Sequence, residues 1–124
     1  MVGYLAVAAG GAIGASIRYG VTLAFGRAEA GAFPWHTFGV NVLGAFLLGL
    51  LMAVLPASDA GERWRLFLGV GVLGGFTTFS TFSYEALTAA QSGHGAVAAG
   101  YVLGSVVAAL LGVALGHAFG RALV

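Results

Sequence analysis

The sequence predicts an all-α integral membrane fold, on three observations. Charged residues make up only 7% of the chain, where a soluble domain would carry roughly 25%. Four apolar runs, each near the ~20 residues that a bilayer requires, are separated by short polar stretches. The 22 glycines, against 2 prolines, lie within those runs, which suits helices packed closely in lipid and not a disordered linker. No linker is long enough to fold separately. Residues 1–124 are therefore expected to form one compact unit of four transmembrane helices, with both termini on the same side.

Composition also excludes functions. With no cysteine there is neither a disulfide framework nor thiolate chemistry. A net charge of +1 argues against nucleic acid as a partner, which needs a basic patch. Met1 to Gly10 lacks the basic start of a signal peptide, and the apolar run continues well past a typical h-region.

The first span is expected from Gly3 to Phe25. Gly10 and Gly14 stand at the small-xxx-small spacing that lets backbones approach, and Arg18 lies near the end. Arg18 reads either as an interfacial anchor or as a fixed positive charge in an aqueous vestibule. The second span is expected from Trp35 to Leu55. Asn41 lies several residues inside its apolar run and Thr37 one turn earlier on the same face, as interhelical glue or as donors to a passing anion.

The third span, Leu66 to Ala90, carries the stretch around which the chain is organised, GGFTTFSTFSYE from Gly74 to Glu85. Thr77, Thr78, Ser80, Thr81 and Ser83 put five hydroxyls among Phe76, Phe79 and Phe82. Such groups are costly in lipid unless they face one another, a cavity or a permeating solute. In a continuous helix the three Phe would form one stripe, with Thr77, Ser80, Thr81 and Tyr84 beside it. Two glycines followed by two β-branched hydroxyl residues weaken a helix, so a break is expected at Gly74–Thr78, freeing carbonyls and amides at mid-membrane depth. Glu85 is the one carboxylate inside a predicted span; it reads as a structural or vestibule group that needs one hydroxyl or cationic partner.

The fourth span is expected from Ala96 to Phe119. Gly100 and Gly104, then Gly112, Gly116 and Gly120, repeat at four-residue spacing as a ridge for tight packing, and Tyr101 and Ser105 share a face. His36, His94 and His117 read as polar groups in or beside loops, with no nearby carboxylate to suggest a metal. Arg63, Arg65 and Arg121 lie on the terminal side, against Arg27 and Arg18 on the other, a weak instruction under the positive-inside rule. The chain is thus expected to insert both ways, which would permit an antiparallel dimer.

Taken together, GGFTTFSTFSYE, TFGVNVLGAF and GGAIGASIRYG resemble the Fluc (CrcB) fluoride channels over essentially the whole chain. The resemblance implies an antiparallel, dual-topology homodimer in the cell inner (plasma) membrane, multi-pass, exporting fluoride passively through two pores at the subunit interface. It implies that Phe79 and Phe82 line the pores, that Asn41 supplies an amide donor, and that Thr37, Ser80, Thr81, Tyr101 and Ser105 add hydroxyls. It further implies a structural Na+ held by the main-chain carbonyls of Gly74 and Thr77, with Arg18 and Glu85 at the vestibule. Two positions depart from the family: Phe76, where Leu is frequent, and Ala109, where a second hydroxyl is common one turn beyond Ser105.

Two other classes compete. A small proton-coupled multidrug exporter would need a membrane-embedded carboxylate, normally in the first helix, and here only Glu85 is available. A non-transporting assembly subunit would use the glycine ridges but leaves the hydroxyl and Phe clustering unexplained. An enzyme lacks a His, Ser and acid constellation or a metal spacing.

Overall fold

The computed structural model describes residues 1–29 and 31–124. They form α1 (Val2–Phe25), α2 (Trp35–Val54), α3 (Asp59–Trp64), α4 (Gly74–Phe76), α5 (Phe79–Gln91) and α6 (Gly95–Leu123), with a π-helical segment, Arg65–Leu73, joining α3 to α4. Three stretches, α2, Asp59–Gln91 and α6, are long and apolar enough to cross a membrane. Helix α1 has the length, at 24 residues, but Arg18 and its glycines dilute its apolarity.

The helices associate as two pairs. Helix α1 lies along the π-helical segment and α4, α2 lies along α6, and α5 closes onto α6. Glycine makes both seams possible. A Cβ on Gly14 would collide with the Val72 carbonyl, and one on Gly10 with the Phe67 carbonyl. Across the other seam a Cβ on Gly116 would meet the Phe46 carbonyl and one on Gly49 the Val113 carbonyl, so α2 and α6 each present a glycine to the other's backbone. In lipid, where apolar burial supplies no drive between helices, such close approach gives the dispersion contacts that hold a bundle. The expected α6 ridge is only partly used: Gly112, Gly116 and Gly120 are buried, whereas nothing lies within 4 Å of where a Cβ on Gly100 or Gly104 would sit. At the other end of the bundle the imidazole of His94 packs on Gly31, which brings the α1–α2 and α5–α6 connections together.

The third span differs from the expected helix in two ways. It begins earlier: Ser58 accepts from the Gly61 N–H at 3.2 Å and starts α3 within what reads as a polar linker. It then winds as a π-helix from Arg65 to Leu73, for which the sequence carries no periodic signal. The break itself falls at Thr77–Thr78, within the stretch Gly74–Thr78 where it is expected. The backbone is extended there (ψ 158° at Thr77; φ −150°, ψ 123° at Thr78), while Gly74 and Gly75 remain helical. The glycines serve packing instead: a Cβ on Gly75 would come within 2.6 Å of the Gly11 carbonyl oxygen. The break comes from Thr78, whose hydroxyl caps α5 by accepting from the Thr81 N–H at 3.2 Å.

Candidate functional site: a cavity at the helix break

Asn41 and Thr78 set the geometry. The Asn41 Nδ2 donates to the Thr78 carbonyl at 3.0 Å, and the Thr78 N–H donates to Asn41 Oδ1 at 2.8 Å. One carboxamide thus satisfies both main-chain groups of the residue at which the helix breaks. Asn41 thus acts as interhelical glue, the first of its two readings: one of its two N–H bonds is committed to the main chain, and one remains. Two carbonyls lose their helical partners in consequence. The Thr78 N–H that would bind the Gly74 carbonyl in an unbroken helix goes to Asn41, and the Thr81 N–H that would bind the Thr77 carbonyl goes to the Thr78 hydroxyl. The carbonyl end of α4 and the amide end of α5 therefore meet at the break, so partial charges of both signs sit at one depth.

A cavity of about 350 Å³ opens beside this point, lined by Asn41, Gly74, Thr77, Thr78, Phe79, Phe82 and Ser105 among others. Phe82 is buried, 6% exposed, whereas Phe79 is 77% exposed; their ring centroids are 5.4 Å apart. Phe76, expected on the same stripe, is buried on α4, because the break rotates α5 relative to it. Ser105, 6% exposed, has a buried hydroxyl with no hydrogen-bond partner among the described residues. An unpaired buried hydroxyl costs about 1–3 kcal/mol. Ala109, also on the lining, adds no donor one turn on.

The remaining hydroxyls of the central stretch divide. Thr77 and Ser83 bond back to the carbonyls of Leu73 (2.9 Å) and Phe79 (2.8 Å), as hydroxyls in membrane helices commonly do. Thr81 accepts from the Thr78 hydroxyl at 3.1 Å, and Ser80, exposed, lies 3.4 Å from it. Arg18 donates from Nε to the Gly75 carbonyl at 3.1 Å and so caps the end of α4 from α1.

Thr37 and Tyr101 turn away from the cavity toward Glu85. The Thr37 hydroxyl donates to Oε1 at 2.9 Å and the Tyr101 hydroxyl to Oε2 at 2.7 Å, while His36 Nε2 lies 3.3 Å from Oε1. Glu85 thus has two hydroxyls and an imidazole where one partner was expected. His36 has no nearby carboxylate in the sequence, because that carboxylate comes from a different span. The cluster touches the cavity through one ring contact, Phe82 on Tyr101 at 5.1 Å between centroids.

Among the described residues no group of three or more His, Asp or Glu is placed to hold a metal. A cation at the break would rest on main-chain oxygen, and the released carbonyls of Gly74 and Thr77 have the right donor chemistry for a hard monovalent ion.

Residues 5–117 match the family described as CrcB-like protein, Camphor Resistance (CrcB). The chain is 48% identical over 122 residues to a fluoride-specific ion channel FluC of Thermus thermophilus, covering 98% of this chain and 95% of the relative. It is 50% identical over 123 residues to the protein of that name from a second strain of the same species (98% and 97% covered). It is 52% identical over 112 residues to the one from Novosphingobium aromaticivorans (89% of each covered). By this near full-length similarity the chain belongs to the CrcB family.

Proposed function

We propose that the chain forms a fluoride-selective channel that exports the anion passively, and not an enzyme or a coupled exporter. The observation that carries this reading is the buried, unpartnered Ser105 hydroxyl in a cavity also lined by Asn41, Phe79 and Phe82. Fluoride is small, strongly hydrated and a strong acceptor, so a path for it must replace water with several donors and no deep charge trap. A hydroxyl, an amide and ring edges, which carry the positive end of the aromatic quadrupole, meet that need. The names of the relatives support the same reading.

Four spans, with α1 as the first, and an antiparallel dual-topology homodimer in the plasma membrane complete the proposal. Phe79, Gly74 and Ser80 are exposed beside the break, in the middle of the third span. A second copy seated there would cover them and close the open side of the cavity. The near balance of arginines on the two sides suits insertion in both directions. A Na+ at the break, held by the Gly74 and Thr77 carbonyls and their partner copies, would offset anion charge in a low-dielectric centre.

The test is fluoride efflux from liposomes that contain only this protein, with a potassium ionophore to dissipate the potential and chloride as comparison. Rapid fluoride release with little chloride release is the expected result. Folded protein that releases no fluoride would refute the reading.

A further inference from the structure

Phe82 lines the cavity, and the tilt of its ring matters to an anion, because the edge of an aromatic ring is positive and its face negative. The torsion that sets this tilt has a broad minimum, so the ring's neighbours decide it. Among the described residues two rings touch it, Phe79 at 5.4 Å and Tyr101 at 5.1 Å between centroids. Phe79 is 77% exposed and offers no fixed wall, whereas Tyr101 is 1% exposed. Phe82 therefore takes its tilt from Tyr101.

The Tyr101 hydroxyl is held by Glu85, but that bond leaves the ring free to turn. The phenolic oxygen lies on the axis about which the ring rotates, so rotation does not move it. A contact on the ring itself must fix it. That contact is Phe33, whose ring meets Tyr101 at 5.3 Å and 80°, edge to face. Phe33 belongs to no helix. It stands in the connection from α1, directly before Pro34 caps α2, and the Trp35 N–H donates to its carbonyl at 2.9 Å. Trp35 at 4.3 Å and Phe38 at 5.5 Å pack on the same ring. The connection is fastened twice near the start of α6, by Phe33 on Tyr101 and by His94 on Gly31.

We infer that Phe33 is a positioning residue for the cavity: it sets the ring of Tyr101, and Tyr101 sets that of Phe82. The inference rests on the channel reading. Without a flat ring at position 33, Tyr101 turns about its own axis and Phe82 follows, so that the negative face of Phe82 meets the path for part of the time and repels the anion. No ring contact joins Phe33 to Phe82 among the described residues, so the effect passes through Tyr101.

The experiment compares Phe33→Leu, which keeps apolar bulk without a flat ring, with Phe33→Tyr, which keeps the ring. In liposomes that hold the full-length protein, fluoride efflux through Phe33→Leu falls about fivefold, equivalent to about 1 kcal/mol of barrier and within the worth of one aromatic pair. Phe33→Tyr stays within about twofold of wild type, because the edge-to-face contact survives. A second readout needs no flux. The Phe82 ring resonances of labelled protein in micelles, identified by their loss in Phe82→Ile, shift in Phe33→Leu and return in Phe33→Tyr. A role confined to stability would lower the unfolding temperature and leave those resonances in place. Wild-type flux in folded Phe33→Leu, or unmoved Phe82 resonances, overturns the inference. Should Phe33→Leu not fold, the wild-type protein decides: Overhauser contacts from the Tyr101 ring to both Phe33 and Phe82 are expected, and the absence of either overturns the inference. Absence of fluoride flux in the wild type overturns the channel reading and this inference with it, whereas equal flux in wild type and Phe33→Leu overturns this one alone.

Discussion

The Glu85 cluster and the Ser105 cavity use similar residues in opposite balance. Around Glu85 both carboxylate oxygens are occupied, by Thr37, Tyr101 and His36, and no donor is left over. Around Ser105 groups are left over: a buried hydroxyl without a partner, an amide with one N–H to spare, and the released carbonyls of Gly74 and Thr77. The first arrangement is complete in one chain, so it stabilises the bundle. The second leaves polar groups without partners within the chain. In a membrane protein, where an unmet polar group is expensive, unequal satisfaction separates architecture from function better than residue type does.

The comparison breaks most severely at Asn41, which lines the cavity and holds the helix break. Asn41→Ala leaves the Thr78 N–H and carbonyl without partners, at about 1–3 kcal/mol for each group. The expected outcome is loss of the folded species in detergent, read by thermal unfolding and gel filtration. Asn41→Asp, which still accepts from the Thr78 N–H, retains part of the stability. Phe82→Ile and Phe79→Ile test the cavity side alone. Fluoride flux drops roughly 100-fold, equivalent to about 2.7 kcal/mol of barrier, while the protein remains folded. Wild-type flux in both variants would remove the aromatic lining from the path.

Glu85→Ala tests the saturated side. It strands two hydroxyls and an imidazole, and the expected loss is about 1–3 kcal/mol of stability, measured by thermal unfolding. Ser105→Ala gives the smallest and sharpest effect. Stability stays within about 0.5 kcal/mol of wild type, because the hydroxyl had no partner to lose. Flux falls about tenfold, or roughly 1.4 kcal/mol. The reverse result, reduced stability with unchanged flux, would show that Ser105 is satisfied within the protein and would dissolve the distinction.

Much of this was legible in the sequence because hydropathy and local chemistry carry it. Four apolar runs, the weak stretch between Gly74 and Thr78, and the density of hydroxyls around Phe79 are all local properties. What the sequence could not place is pairing between spans, which depends on the rotation of each helix about its axis and on its depth. His36 and Glu85, or Asn41 and the Thr78 main chain, lie in different spans with nothing at either position to announce the other. The same limit explains why the sequence could not divide the break between the glycine pair and the Thr77–Thr78 pair. A glycine that weakens a helix and one that admits a neighbour's backbone look identical in one dimension, and only the approach of Gly11 identifies Gly75 as the second kind. The π winding from Arg65 to Leu73 left no trace, since its hydrophobic residues are compatible with any helical pitch.

The seam between α2 and α6 also orders events in time. The third span separates these helices in the chain, so α2 enters the bilayer with its partner not yet made. Until Gly112, Gly116 and Gly120 emerge, the backbone oxygens of Val42, Phe46 and Leu50 that they will approach stay uncovered. The tightest packing in the bundle is therefore among the last to form during synthesis. A nascent chain stalled before Gly112 would display the uncovered α2 backbone to any other helix in the membrane.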